Sequence, residues 1–305
     1  MSIVEKAADR LRQNDRPHAP DRSARQQSAA VPSQVAGTVV TAREEATADL
    51  SRTERVSIEA GHLRRAGLLA PKSMDNQLAR EYQRIKRPLL ATLTSGGSYG
   101  PIVHANRLMV ASAAQGEGKT FTAFNLALSL AREKDHSVLL VDGDVLKPGI
   151  SRALGIDGRP GLMDALRDES VPSSSLILQT DVPGLSVLPA GERCEEMAEL
   201  LSSRRMNEVV EELSAEPARI VIFDSSPLLA TPESQALALS MSQVLVVVKA
   251  GSTERRALEA ALSLIDHPSR PTSLVLNQSR RGHGDLYAGY YGVYGGGKDS
   301  GETQN

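Results

Sequence analysis

From residue 76 to about 282 the chain alternates short apolar runs with longer stretches whose apolar residues recur every three to four positions. Leu108–Ala111, Ser137–Val141, Leu185–Leu188, Ile220–Phe223, Val244–Val248 and Thr272–Leu276 are rich in Val, Leu and Ile. Runs of that length and composition predict strands buried on both faces. Between them, Phe121–Glu133, Glu195–Ser202, Met206–Ala215, Pro232–Ser240 and Thr253–Asp266 carry helical periodicity. Strand–helix alternation of this kind predicts a three-layer α/β fold. Its three layers are a mostly parallel central sheet with helices on both faces.

The flanks read differently. Residues 1–75 are rich in Arg, Gln, Ser, Ala, Asp and Glu and poor in large apolar groups. Most of that stretch buries too little surface to offset ordering entropy, so it is expected to be largely disordered. Two short helices are predicted within it. Ser2–Leu11 has a capping-box pair, Ser2 and Glu5, and one apolar face (Ile3, Val4, Ala7, Ala8, Leu11). The second runs over about Ser57–Ala66, ahead of Gly67 and Pro71. Residues 283–305, dense in Gly and Tyr, read as a flexible tail. The expected organisation is therefore 1–75, a domain at 76–282, and a tail at 283–305.

Composition narrows the functional classes. Hydrophobic residues make up 40% of the chain but aromatics only 3%, so the core must be aliphatic. A formal net charge of −2 gives no global reason to bind nucleic acid. The single cysteine, Cys194, excludes a disulfide framework within the chain and fits a reducing compartment. No apolar run approaches the ~20 residues that span a bilayer, and the charged N-terminus has no signal-peptide pattern. The reading is a cytoplasmic protein held at a membrane, if at all, by something else.

The chemistry centres on Ala113-Ala114-Gln115-Gly116-Glu117-Gly118-Lys119-Thr120, between an apolar strand and an amphipathic helix. It matches the phosphate-binding P-loop pattern except at Ala113, where Gly is usual. Ala costs little there if its φ is negative. Glycines let backbone N–H groups turn toward phosphate oxygens, and the helix N-terminus adds its dipole. The backbone from Gln115 through Gly116, Glu117, Gly118, Lys119 and Thr120 to Phe121 is thus the expected nucleotide cradle. Lys119 would reach the β- and γ-phosphates of ATP, and the Thr120 hydroxyl would ligate Mg²⁺.

Three aspartates follow strands of the expected parallel sheet: Asp142 and Asp144 after Ser137–Val141, and Asp224 after Ile220–Phe223. Functional groups collect at the C-terminal ends of such strands. A carboxylate there can hold Mg²⁺ directly or through water, or take a proton from an attacking hydroxyl. Each taken alone also reads as an ordinary turn aspartate. The set assigns Lys119, Asp142 and Asp144 to catalysis, and Thr120, Asp142 and Asp224 to the metal.

Together these segments resemble the bacterial tyrosine kinases, P-loop proteins unrelated in fold to the eukaryotic protein kinases. The resemblance rests on GEGKT (Gly116–Thr120), VLLVDGDVLKP (Val138–Pro148), IVIFDSSP (Ile220–Pro227) and a tail holding Tyr287, Tyr290, Tyr291 and Tyr294, four of the six tyrosines. It covers about residues 72–295. The stretches EYQRIKRPLL, DVLKP, LPAG and ERRALEAALSLI are similar to the autokinases of exosortase-linked exopolysaccharide loci. The resemblance implies an autokinase in which ATP bound by one subunit phosphorylates tail tyrosines of a neighbour. It implies a ring-forming role for Glu81, Arg84 and Arg87, which share a helix face at spacing three. It implies that Asn277 contacts the nucleotide base. It further implies a separate membrane partner, similar to a polysaccharide chain-length determinant, as activator.

In the second motif many relatives carry Arg where this chain has Leu146, and the basic group comes one residue later, at Lys147. A positioning ATPase of the cell-division or plasmid-partition kind is the main competing reading. Its extra loop lysine would fall on Ala114, and it has no use for a tyrosine-rich tail. A non-catalytic nucleotide-binding adaptor is the third. The N-terminal Ser2–Leu11 helix reads either as a docking element for the membrane partner or for lipid, or as a frayed amphipathic helix.

Overall fold

The computed structural model describes residues 55–69, 72–95, 105–216, 218–268 and 270–279. The expected Ser2–Leu11 helix, the disorder assigned to most of residues 1–75, and the tail with Tyr287, Tyr290, Tyr291 and Tyr294 lie outside the described residues.

In chain order the elements are α1 (Ala60–Arg65), α2 (Asp75–Ser95), β1 (Arg107–Ser112), α3 (Lys119–Leu130), β2 (Ser137–Asp142), α4 (Gly149–Ala153), α5 (Leu162–Arg167), β3 (Leu178–Gln179), β4 (Leu185–Leu188), α6 (Met197–Leu201), α7 (Arg204–Ser214), β5 (Arg219–Asp224), α8 (Pro232–Leu239), β6 (Gln243–Lys249), α9 (Arg255–Leu264) and β7 (Thr272–Asn277). The seven strands form one sheet in the order β3-β4-β2-β5-β1-β6-β7. Every pairing is parallel except the two-residue edge strand β3, which runs antiparallel to β4.

Side chains alternate across each strand and so feed two cores. Met109, Ala111, Leu139, Val141, Val221 and Phe223 point to one face and pack under α5–α9. Leu108, Val110, Val138, Leu140, Ile220 and Ile222 point to the other and pack under α1–α4. Both faces of the central strands are buried, which is why their sequences read as unbroken apolar runs. The three-layer α/β expectation is met.

Two expectations change. Strand β7 is not covered on both faces: Leu274 is 55% and Leu276 63% exposed. The packed domain also begins ahead of residue 76. Leu63 of α1 and Leu68 are buried in the second core. Val56 donates to Gln179 O (2.8 Å) and accepts from Asp181 N (3.1 Å), so the segment adds a bridge beside β3. Asp181 Oδ1 also accepts from Ile58 N at 2.9 Å.

Candidate functional site

The loop between β1 and α3 turns on Gly116 (φ +82°) and Gly118 (φ +97°), both in the left-handed region. Gly118 has a second constraint: a Cβ there would stand 2.1 Å from Asn277 Nδ2. Ala113 is fully buried and keeps a negative φ, so the missing first glycine costs nothing. Lys119 and Thr120 open α3, where the unpaired N–H groups and dipole favour an anion. The Phe121 side chain packs on the second core, so only its backbone is available to the cradle.

The parallel register sets Asp142 of β2 directly beside Asp224 of β5. Both are fully buried. Asp142 Oδ2 accepts from the Ser151 amide and hydroxyl, each at 2.7 Å. Its Oδ1 and both oxygens of Asp224 are buried with no well-formed hydrogen bond among the described residues, the Thr120 hydroxyl being the one donor that acts on Asp224. Burial pushes the Asp142 carboxyl up to about 6; the Ser151 hydrogen bonds oppose this and the Asp144 charge adds to it. Asp224 is pushed up to about 8, first by burial and then by the Asp142 charge, against the pull of Lys119 and Thr120. Asp144 lies 4.0 Å from Lys119 Nζ, and its Oδ1 accepts from Lys147 N at 3.0 Å.

Orphaned buried carboxylate oxygens are costly unless charge meets them. Three such oxygens beside a hydroxyl and an ammonium suit a hard divalent cation. Mg²⁺ typically takes one or two carboxylates and completes its shell with water and substrate phosphate. The residues present fit that pattern, and the described residues offer no larger ligand cluster. Asp142, Asp224 and Thr120 would hold the ion.

The side chains expected at the site are brought together, with one reassignment. Glu117 is 3% exposed, but its carboxylate turns into the protein. Oε2 accepts from Ala114 N at 2.9 Å and Oε1 from the Thr253 hydroxyl. Thr253 in turn accepts from Lys249 N at 2.9 Å. Asn277, at the end of β7, donates to Glu117 O at 2.9 Å, and Gln278 Nε2 lies 3.4 Å from Gly116 O. Asn277 thus sits over the phosphate loop. Lys147 Nζ lies 3.4 Å from Gln115 Oε1, so the basic group displaced from position 146 still faces the loop. Glu81, Arg84 and Arg87 are elsewhere, exposed along α2.

Ser151 and Thr253 were missed by sequence reasoning. Ser151 lies in a five-residue helix too short to register as a periodicity, and Thr253 read only as the start of a helix.

Residues 106–270 match a family model described as an AAA domain. The chain is 33% identical to the tyrosine-protein kinase YwqD of Bacillus subtilis over 61% of its own length and 77% of that protein. It is 27% identical to the tyrosine-protein kinase Ptk of Acinetobacter johnsonii over 70% of its length, but spans only 28% of that longer relative. Among solved structures it is similar to the VpsO kinase domain, with a TM-score of 0.55 and 26% identity, covering 69% of this chain and all (100%) of that one.

Proposed function

The chain belongs to the bacterial tyrosine-protein kinases, and from that premise we propose that it transfers the γ-phosphate of ATP to Tyr287, Tyr290, Tyr291 and Tyr294 of a neighbouring copy. The observation that carries this is the set of orphaned carboxylate oxygens on Asp142 and Asp224 beside Lys119 and Thr120. Such a pocket is costly when empty and complementary to a metal-bound triphosphate.

The residues divide the work as phosphoryl transfer requires, by positioning and charge neutralisation. The turned loop and the start of α3 seat the phosphates, and Lys119 neutralises charge growing on the transferred group. Thr120, Asp142 and Asp224 would hold Mg²⁺, which would supply positive charge to offset that of the phosphates. Ser151 occupies Asp142 Oδ2, which leaves Oδ1 to receive the proton of the incoming tyrosine, so Asp142 would hold the ion through water while Asp224 and Thr120 meet it directly. The phenol oxygen bonds to Pγ as the bond between Pγ and the bridging oxygen breaks, and ADP leaves carrying that electron pair. Lys147 adds positive charge at the loop in place of the arginine absent at 146.

Glu81, Arg84 and Arg87 would present α2 to a neighbour and build the ring that makes transfer in trans possible. A separate chain-length-determinant-type membrane protein would activate the kinase and hold it at the inner membrane, where it regulates exopolysaccharide polymerisation and export. Among the described residues no helix is long and apolar enough to cross a membrane.

The test is phosphotyrosine mapping by mass spectrometry after incubation with Mg-ATP, alone and with the membrane partner. Phosphate is expected on residues 287–294 and absent from Lys119→Met. ATP binding without tail phosphate in either condition refutes the autokinase.

A further inference from the structure

The outer strand and its helix carry an apolar surface that the nucleotide site does not use. Thr272, Leu274 and Leu276 alternate with Ser273, Val275 and Asn277 along β7, so the two leucines share one face. On that face a groove of about 360 Å³ runs between β7 and α9, lined by Leu262, Ser263, Asp266, Thr272 and Leu274. Leu276 continues it at 63% exposure. Among the described residues the strand is also the last of the sheet, and the backbone groups on its outer edge face no neighbouring strand there. A free edge beside exposed leucines is a surface that proteins ordinarily cover.

We propose that this groove is the resting place of the chain's own unphosphorylated tail, residues 286–294. Three observations select that occupant. The chain runs on toward the tail from the other end of the same strand, where Gln278, next after β7, takes a left-handed conformation (φ +57°). The nine steps along the chain from Gln278 to Tyr287 reach up to roughly 30 Å, more than the ~20 Å of a six-residue strand. The groove also suits tyrosine. Its floor is leucine and its rim holds the Asp266 carboxylate and the Ser263 hydroxyl, which match a ring body and a phenol donor. In a chain with 3% aromatics, four of the six tyrosines fall within 287–294.

Docking would withhold the acceptors from any active site. Phosphorylation would end it, because a phosphate of nearly two negative charges meets Asp266 and cannot enter an apolar floor. The release step rests on the autokinase reading; the docking step does not.

Amide hydrogen exchange of the full chain, free of nucleotide, tests the docking. The comparison is with full-length Tyr287→Ser/Tyr290→Ser/Tyr291→Ser/Tyr294→Ser and with Leu276→Glu, whose side chain is exposed and whose fold is checked by circular dichroism. Exchange across residues 272–277 should be about tenfold faster in both variants, and the wild-type protection should not depend on protein concentration. Equal exchange in wild type and the tyrosine variant overturns the proposal. So does protection that grows with concentration, which would make the occupant a second copy. Wild type phosphorylated on the tail should exchange like the tyrosine variant; retained protection overturns the release step. Loss of tail phosphorylation with the ATP-free protection intact would strike the autokinase alone.

Discussion

Asp224 shows how the proposed active site stores unfavourable charge. Its folded pKa of about 8 stands above the ordinary 3.8. The folded state therefore binds the proton more tightly than the unfolded state. Its contribution to stability is full below about pH 4 and is lost as pH rises through about 8. In metal-free protein at pH 8.5, Asp224→Asn is expected to raise the melting temperature by about 2–4 °C, the equivalent of ~1 kcal/mol. The gain should shrink toward pH 5, as calorimetry across that range will read. The same substitution should abolish the stabilisation that Mg-ATP gives the wild type, since Mg²⁺ needs the ionised carboxylate. Ser151 is the complementary case. It is not among the residues proposed to meet substrate or metal, but it fixes which oxygen of Asp142 is free. Ser151→Ala should slow tail phosphorylation roughly 10–100-fold. The KM for ATP should stay near that of wild type in steady-state kinetics, because the loop and Lys119 are untouched.

At the scale of elements, legibility followed burial. β2 and β5 are covered on both faces, so their apolar runs announced them and placed Asp142 and Asp224 at their ends. Short pieces were opaque because distant backbone holds them. Helix α5 begins where Leu162 N donates to Pro189 O at 2.9 Å and Met163 N to Ala190 O at 3.0 Å. Nothing within its six residues encodes those bonds. The two-residue β3 exists only through β4. The flank 55–69 illustrates the opposite error. Its composition is polar, yet α1 delivers Leu63 into the core at 1% exposure. Leu63→Ala is accordingly expected to cost about 2–4 kcal/mol by urea denaturation, although it precedes the span matched by the family model. A change within 0.5 kcal/mol would mean that the flank is not part of the cooperative unit.

For the molecule as a whole, the proposed ring contact would make the two faces of α2 separate stability from assembly. Tyr82, Leu89 and Leu93 are buried in the core, while Glu81, Arg84 and Arg87 remain exposed. Replacing all three exposed residues by Ala should leave the melting temperature within about 2 °C of wild type, since surface changes are usually worth under ~0.5 kcal/mol. It should reduce the assembly to monomer by sedimentation velocity and cut tail phosphorylation in proportion. An unchanged assembly would place the ring contact elsewhere.

The chain's linear order was enough to specify the layers, the phosphate loop and the acidic strand ends, because each depends on local pattern: two-sided burial, glycine spacing, or position at a strand's end. Folding alone could establish that Asp142 and Asp224 lie side by side with three unsatisfied oxygens. It also turned the Glu117 carboxylate onto Ala114 and Thr253, and it left Leu274 and Leu276 exposed at the sheet's edge. Those features depend on which strands become neighbours and which strand comes last, and contacts between residues tens of positions apart carry no local signature.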